Sequence, residues 1–170
     1  MPGVTANIAL SVAAKLTGTA DLGNPLAPVT LEKVIRIVGG TDALGKADIL
    51  FADTRTIAAS SSENLDLAGV LTGLLGGTIT AAEITAIIVT ADAGNTNDVQ
   101  IFGAASNAFN GPLSGTTPKL SVGPDDVAMI TNRKGWTVTA GTGDILLVGN
   151  SGSGTPVTYT IILIGRTVAA

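Results

Sequence analysis

From Ala47 to the C-terminus, short apolar or alternating runs recur at intervals of roughly 8 to 12 residues, separated by clusters of Gly, Asn, Ser and Thr. This spacing leaves too few residues between turns for helices of ordinary length and suits short strands. Strands are expected near 47–57, 65–71, 84–91, 98–103, 118–123, 127–131, 136–140, 144–149 and 156–165. The alternation is cleanest where Trp136, Val138 and Ala140 are set against Thr137 and Thr139, and where Val157, Tyr159, Ile161 and Leu163 are set against Thr158 and Thr160. Side chains on a strand point alternately to opposite faces, so each run has one apolar face and one threonine face suited to an exposed or interfacial sheet surface.

The connections carry turn chemistry. Gly94-Asn95, Asn110-Gly111-Pro112, Lys134-Gly135, Gly141-Thr142-Gly143 and the run Gly149 to Gly154 supply residues that tolerate positive φ, and each reads as a hairpin. One helical turn is expected at Thr80-Ala81-Ala82-Glu83, which has the spacing of a capping box. There is no internal repeat of solenoid or propeller length.

Residues 1–45 form a separate N-terminal region, punctuated by Gly23, Asn24, Pro25, Pro28, Gly39 and Gly40. Ile8, Leu10, Val12, Ala14 and Leu16 alternate with Asn7, Ala9, Ser11, Ala13 and Lys15, the period of a strand. Thr30 to Val38 fits either element, but its β-branched Val34, Ile35, Ile37 and Val38 favour a strand. This region can serve as an extended arm that adds to the sheet edge of a neighbour, or its first strand can complete the chain's own sandwich. The Gly/Pro-rich stretch at 18–28 permits both. The fold expected is therefore all-β, an antiparallel β-sandwich over 46–170 with an N-terminal arm over 1–45.

Several functional classes are disfavoured by composition. The chain has no His and no Cys, which removes the commonest proton carrier and the soft nucleophile. It also removes disulfides and thiolate metal sites. The net charge of −4, from scattered acids and bases, does not suit a nucleic-acid interface. Mean hydropathy is high at +0.49, yet the charge-free stretches Leu67–Ala82, Val99–Pro118 and Ile145–Gly165 are interrupted by Gly, Ser, Asn or Pro and do not read as membrane spans. No basic residue precedes Lys15, so synthesis in the cytoplasm without a signal peptide is expected. With 13% of residues charged and 45% hydrophobic, much apolar surface is expected to lie against other chains, as in an oligomer.

The remaining patterns read as structural. Asp92, Asn95, Asn97 and Asp98 place four oxygen-bearing side chains in one loop, but they miss the EF-hand spacing and lack its closing Glu. Adjacent Asp125 and Asp126 would point to opposite sides of a strand and suit a solvated turn. Gly149 to Gly154 lacks the Lys and the following helix of a phosphate loop. Arg133 and Lys134 fit a hairpin tip beside Gly135, and Trp136 fits the core. No catalytic residue, metal ligand or cofactor is assigned.

The run Gly135-Trp136 through Asp144, the following Ile145 to Gly152, the strand Val157 to Gly165, and the loop Ala93 to Val99 resemble small virion proteins of tailed double-stranded DNA phages. The likeness covers roughly residues 47–166 and rests on turn-and-strand patterns without chemistry. It implies a jelly-roll-like module of the cement or decoration type. Such a protein is non-enzymatic, is synthesised in the host cytoplasm, and sits on the outer capsid surface between major capsid protein subunits. Its partners would be the major capsid protein and itself, as a dimer or trimer. Candidate interface residues are Ile8, Leu10, Val12, Phe109 and Arg133. Alternatives are a tail, neck or fibre component, or a host-adhesion or carbohydrate-binding sandwich. A glycosidase-like carboxylate pair is disfavoured because only Glu32, Glu63 and Glu83 accompany the scattered Asp residues.

Overall fold

The alternating runs form strands throughout, and the chain is all-β with no helix among the described residues. The computed structural model describes residues 3–170 except Ala20 and Thr116. In chain order the strands are β1 (Ala6–Thr17), β2 (Leu26–Gly39), β3 (Lys46–Ala47), β4 (Ile49–Ile57), β5 (Ser62–Asp66), β6 (Glu83–Ala91), β7 (Val99–Ile101), β8 (Leu120–Val122), β9 (Val127–Thr137), β10 (Ile145–Asn150) and β11 (Val157–Arg166).

Two antiparallel sheets, ordered β5-β10-β7-β8 and β4-β11-β6-β9, face each other across the main core. One side of that core comes from Phe51, Ile87, Val89, Ile161 and Leu163, and the other from Leu65, Val99, Ile101, Leu146 and Val148. These are the inward members of each alternation, so the period of two seen in the sequence is the period of burial. Most of the turn-rich connections are not hairpins. β6 and β7, β9 and β10, and β10 and β11 lie in different sheets, so the turns at Gly94-Asn95, Gly141 to Gly143 and Gly149 to Gly154 carry the chain from one sheet to the other.

Three other local expectations are corrected. The strand expected at 65–71 is β5, displaced towards Ser62–Asp66. The strands expected at 127–131 and 136–140 are one strand, β9, whose pairing with β6 runs from Ala86↔Thr131 to Ile84↔Trp136 across an irregularity. Lys134-Gly135 is thus a bulge within a strand, with Gly135 at φ 95°. Thr80 to Glu83 begins no helical turn, because the Ala81 amide bonds to Leu67, the Ala82 amide to Arg166, and Glu83 opens β6.

β1 and β2 form a long antiparallel hairpin, registered from Ala6↔Ile37 to Thr17↔Leu26. Its root is joined to the body through the short parallel pairing of Val38 and Gly39 with Lys46 and Ala47. The Val4 and Gly40 amides both donate to the Ala47 carbonyl, at 3.0 and 3.1 Å. The crossing is close enough that a Cβ on Gly3 would lie 2.8 Å from the Gly39 Cα, so a larger residue there would force the backbone apart. The root also buries a second, smaller core: Val4, Ile8 and Ile37 against Ala86 and Ile164, flanked by Ile35, Leu50, Met129 and Ile162.

Candidate functional site: a projecting hairpin and an uncharged sheet face

Beyond its root the hairpin is exposed, and residues 9–34 are all exposed wherever described. Cross-strand partners share a face. One face therefore carries Leu10, Val12, Ala14 and Leu16 from β1 and Ala27, Val29, Leu31 and Lys33 from β2. Lys33 is its one charged member. On this face Leu10 and Val12 are 41% and 39% exposed, and Leu16 is 75% exposed. An isolated two-stranded hairpin is at best marginally stable in water, so an apolar face of this length calls for a covering layer.

A second unusual surface lies on the body. The outward residues of the β4-β11-β6-β9 sheet are Leu50, Ala52, Thr54 and Thr56; Ile164, Ile162, Thr160 and Thr158; Ala86, Ile88 and Thr90; and Thr131, Met129 and Val127. None is charged. The root of the hairpin covers the Leu50, Ile164 and Ala86 end. The opposite end is a row of threonines in which hydroxyls bond to each other, Thr54 with Thr160 at 2.8 Å and Thr56 with Thr158 at 3.0 Å. Val127, in register with Thr90, is 62% exposed there. This end forms a shallow depression of about 450 Å³, floored by Thr54, Thr90, Thr158 and Thr160 and rimmed by Asp92, Asp125 and Asp126.

The joint between hairpin and body is held by Arg166, which is wholly buried. Its Nε donates to Glu83 Oε2 at 2.5 Å, its Nη1 to the carbonyls of Ala43 at 2.7 Å and Lys46 at 3.3 Å, and its Nη2 to the carbonyl of Lys134. A planar guanidinium can serve several acceptors in a fixed fork, which an ammonium cannot. One side chain thus ties the end of β11, the start of β6, the β9 bulge and the segment that leads out of the hairpin. A second cluster closes the β4/β5 side, where Arg55 bridges Asp53 and Glu63, and the Tyr159 hydroxyl donates to Glu63 Oε1 at 2.8 Å. Burial, and then the Glu63 contact, push the Tyr159 phenol well above its ordinary range.

Of the interface residues expected from sequence, Leu10 and Val12 lie on the exposed hairpin face. Ile8 sits on the same face but is covered at the root, where it packs on the body. Phe109 is corrected: it is 2% exposed within the main core and offers no surface to a partner. A hairpin is expected at Asn110-Gly111-Pro112, but the preceding chain runs beside β10, with the Phe109 amide donating to the Ile145 carbonyl at 2.9 Å, and Phe109 is buried in the core. Arg133 is exposed in β9 beside Gly45, away from the distal hairpin. Sequence reasoning missed Val29 and Leu31 of β2 as well as Thr54, Thr56 and Thr90 of the outer sheet face. The alternation Leu50, Ala52, Thr54, Thr56 against Ile49 and Phe51 carried that signal.

In the Asp92 to Asp98 loop, Asp92 and Asn95 each use a side-chain oxygen in an internal hydrogen bond. Asp92 accepts from the Gly94 amide, and Asn95 exchanges two hydrogen bonds with Thr158 as a strand would. Asn97 donates to the Thr155 carbonyl, and the Asp98 amide bonds to Ser151. No group of three or more His, Cys, Asp or Glu side chains among the described residues is placed to hold a metal ion. The chain matches no protein-family model, and no curated protein is significantly similar to it in sequence.

Proposed function

We propose that this chain is a non-enzymatic structural protein of a tailed-phage virion, a cement or decoration protein that binds the outer capsid surface between major capsid protein subunits. Its two facing sheets would be a β-sandwich of the jelly-roll kind, and it would act as a homo-oligomer. The observation that carries the reading is the hairpin, an extended arm with an exposed apolar face, whose junction with the body is tied by the buried Arg166. An arm of that form suits bridging between subunits, and many identical weak contacts on a shell act together. The turn-and-strand resemblance to virion proteins supplies the identity of the shell.

The test is co-sedimentation of the purified chain with expanded empty phage capsids. Binding that saturates at a fixed ratio to capsid protein, and that is lost in Leu10→Glu/Leu31→Glu, is expected. Failure to bind any expanded shell would overturn the capsid assignment and favour a tail, neck or adhesion role.

A further inference from the structure

The exposed hairpin face and the uncharged outer sheet face match each other. We infer that the distal half of the hairpin in one copy of this chain seats on the threonine end of the β4-β11-β6-β9 outer face in a second copy, reciprocally about a two-fold axis. The inference rests on the reading of the hairpin as an assembly arm and names its occupant.

Continuity is the first argument. The proximal part of the same hairpin face, Ile8, Ile35 and Ile37, already packs within the chain on Leu50, Ile164, Ala86 and Met129 of the same outer face. The two surfaces are therefore complementary in chemistry and in sheet-on-sheet geometry. Both continue past that contact uncovered, the hairpin through Val12, Val29 and Leu31 and the sheet through Thr54, Thr160, Thr90 and Val127. Residues 9–34 of the hairpin are exposed wherever described and Val127 is 62% exposed, so both surfaces are open to a second copy.

Charge is the second argument. A sheet face that met only water would carry charged side chains, and this one has none at its paired positions on β4, β11 and β6 or at Val127, Met129 and Thr131 of β9. Its threonine hydroxyls satisfy each other in pairs, which leaves methyl groups for an apolar partner. The seat is rimmed by Asp92, Asp125 and Asp126, whereas the one charge on the apolar hairpin face is Lys33. A face with one lysine thus meets an acidic rim around a neutral floor.

Area decides for reciprocity. Nine residues from Ala9 to Thr17 on two strands cover a face about 30 Å by 10 Å, or ~300 Å², from strand rise and spacing. Arms packed only on each other would bury that much per partner, well short of the ~800 Å² of a stable interface. Reciprocal seating uses both an arm and a seat on each copy and reaches about 600 Å² before the rims are counted.

The chain contains no cysteine, so single introduced thiols report one contact each. Val12→Cys marks the arm and Thr160→Cys the seat. Under mild oxidation, a mixture of the two variants is expected to form a disulfide-linked pair, while neither variant alone does so. Light scattering of the wild-type chain is expected to give twice 16.8 kDa. Adding Leu31→Glu to the arm variant should abolish the cross-link while leaving the body folded by circular dichroism. Efficient self-cross-linking of Val12→Cys would show arm packed on arm and overturn the seat. A monomer at all concentrations with no cross-link would overturn the second copy as occupant. Capsid binding by such a monomer, lost in Leu10→Glu/Leu31→Glu, would leave the arm as a shell-docking element, so the two readings fail separately.

Discussion

Replacing Arg166 with methionine tests how the hairpin is held to the body. The guanidinium is fully buried, and the Glu83 side chain is 8% exposed, so the substitution leaves a buried carboxylate without its cation. Removing one partner of such a pair costs about 3–5 kcal/mol. The carbonyls of Ala43, Lys46 and Lys134 lose their donor as well, each worth about 1 kcal/mol and partly recovered by entering water. The total is about 4–6 kcal/mol, a large part of the roughly 5–15 kcal/mol that holds a domain of this size together. In urea denaturation at a slope of about 2 kcal/mol/M, the midpoint should fall by roughly 2–3 M. Arg166→Lys should lose about half as much, since an ammonium restores the charge but cannot reach all the acceptors. The double variant Arg166→Met/Glu83→Leu should be more stable than Arg166→Met alone, because the orphaned carboxylate is gone. Hydrogen exchange should rise first at residues 38–47, where the hairpin joins the body. A loss below about 1 kcal/mol for Arg166→Met, or single-site losses that simply add to give the double variant, would refute this account of the joint.

Three further outcomes are expected. Gly135→Ala should destabilise by about 1–3 kcal/mol, because φ is 95° and the new Cβ would lie 2.8 Å from Glu83 Oε2 and 2.9 Å from Arg166 Nη2; in the Arg166→Met background the cost should shrink, and an unchanged cost in urea titrations would refute the contact. Leu146→Ala, at a fully buried position of β10, should lower stability by about 2–5 kcal/mol without altering the denaturation slope, and a loss under 1 kcal/mol would place the core elsewhere. The single tyrosine should titrate only on unfolding: its phenol is raised in the folded state, so its contribution to stability is complete below the unfolded value of about 10 and is lost as pH rises beyond it. Tyrosinate absorbance appearing near pH 10 in protein that remains folded would contradict the burial of Tyr159.

The all-β class and most strand positions were legible in the sequence because strand identity is a local property. Val157 to Gly165 alternates in the chain as it alternates between core and surface, and the N-terminal run from Asn7 to Leu16 announced β1 in the same way. Turn residues marked where strands end. They did not mark which strand comes next in space, since Gly and Asn permit a reversal into the same sheet or a crossing to the other with equal ease.

What the tertiary structure decided is everything that depends on distant partners. Lys134-Gly135 became a bulge because Arg166, far along the chain, takes the Lys134 carbonyl. Phe109 became core because its segment is held beside Ile145 of β10, a distant partner no local pattern contains. The alternation of β1 announced an apolar face, but only the pairing with β2 showed that this face continues through Val29 and Leu31 and remains uncovered. Likewise the outer threonines of β4, β6 and β11 are separate alternations in the chain, and they become one uncharged surface only when hydrogen bonding sets those strands side by side. Period sets which side chains share a strand face, and pairing between distant segments sets what that face becomes.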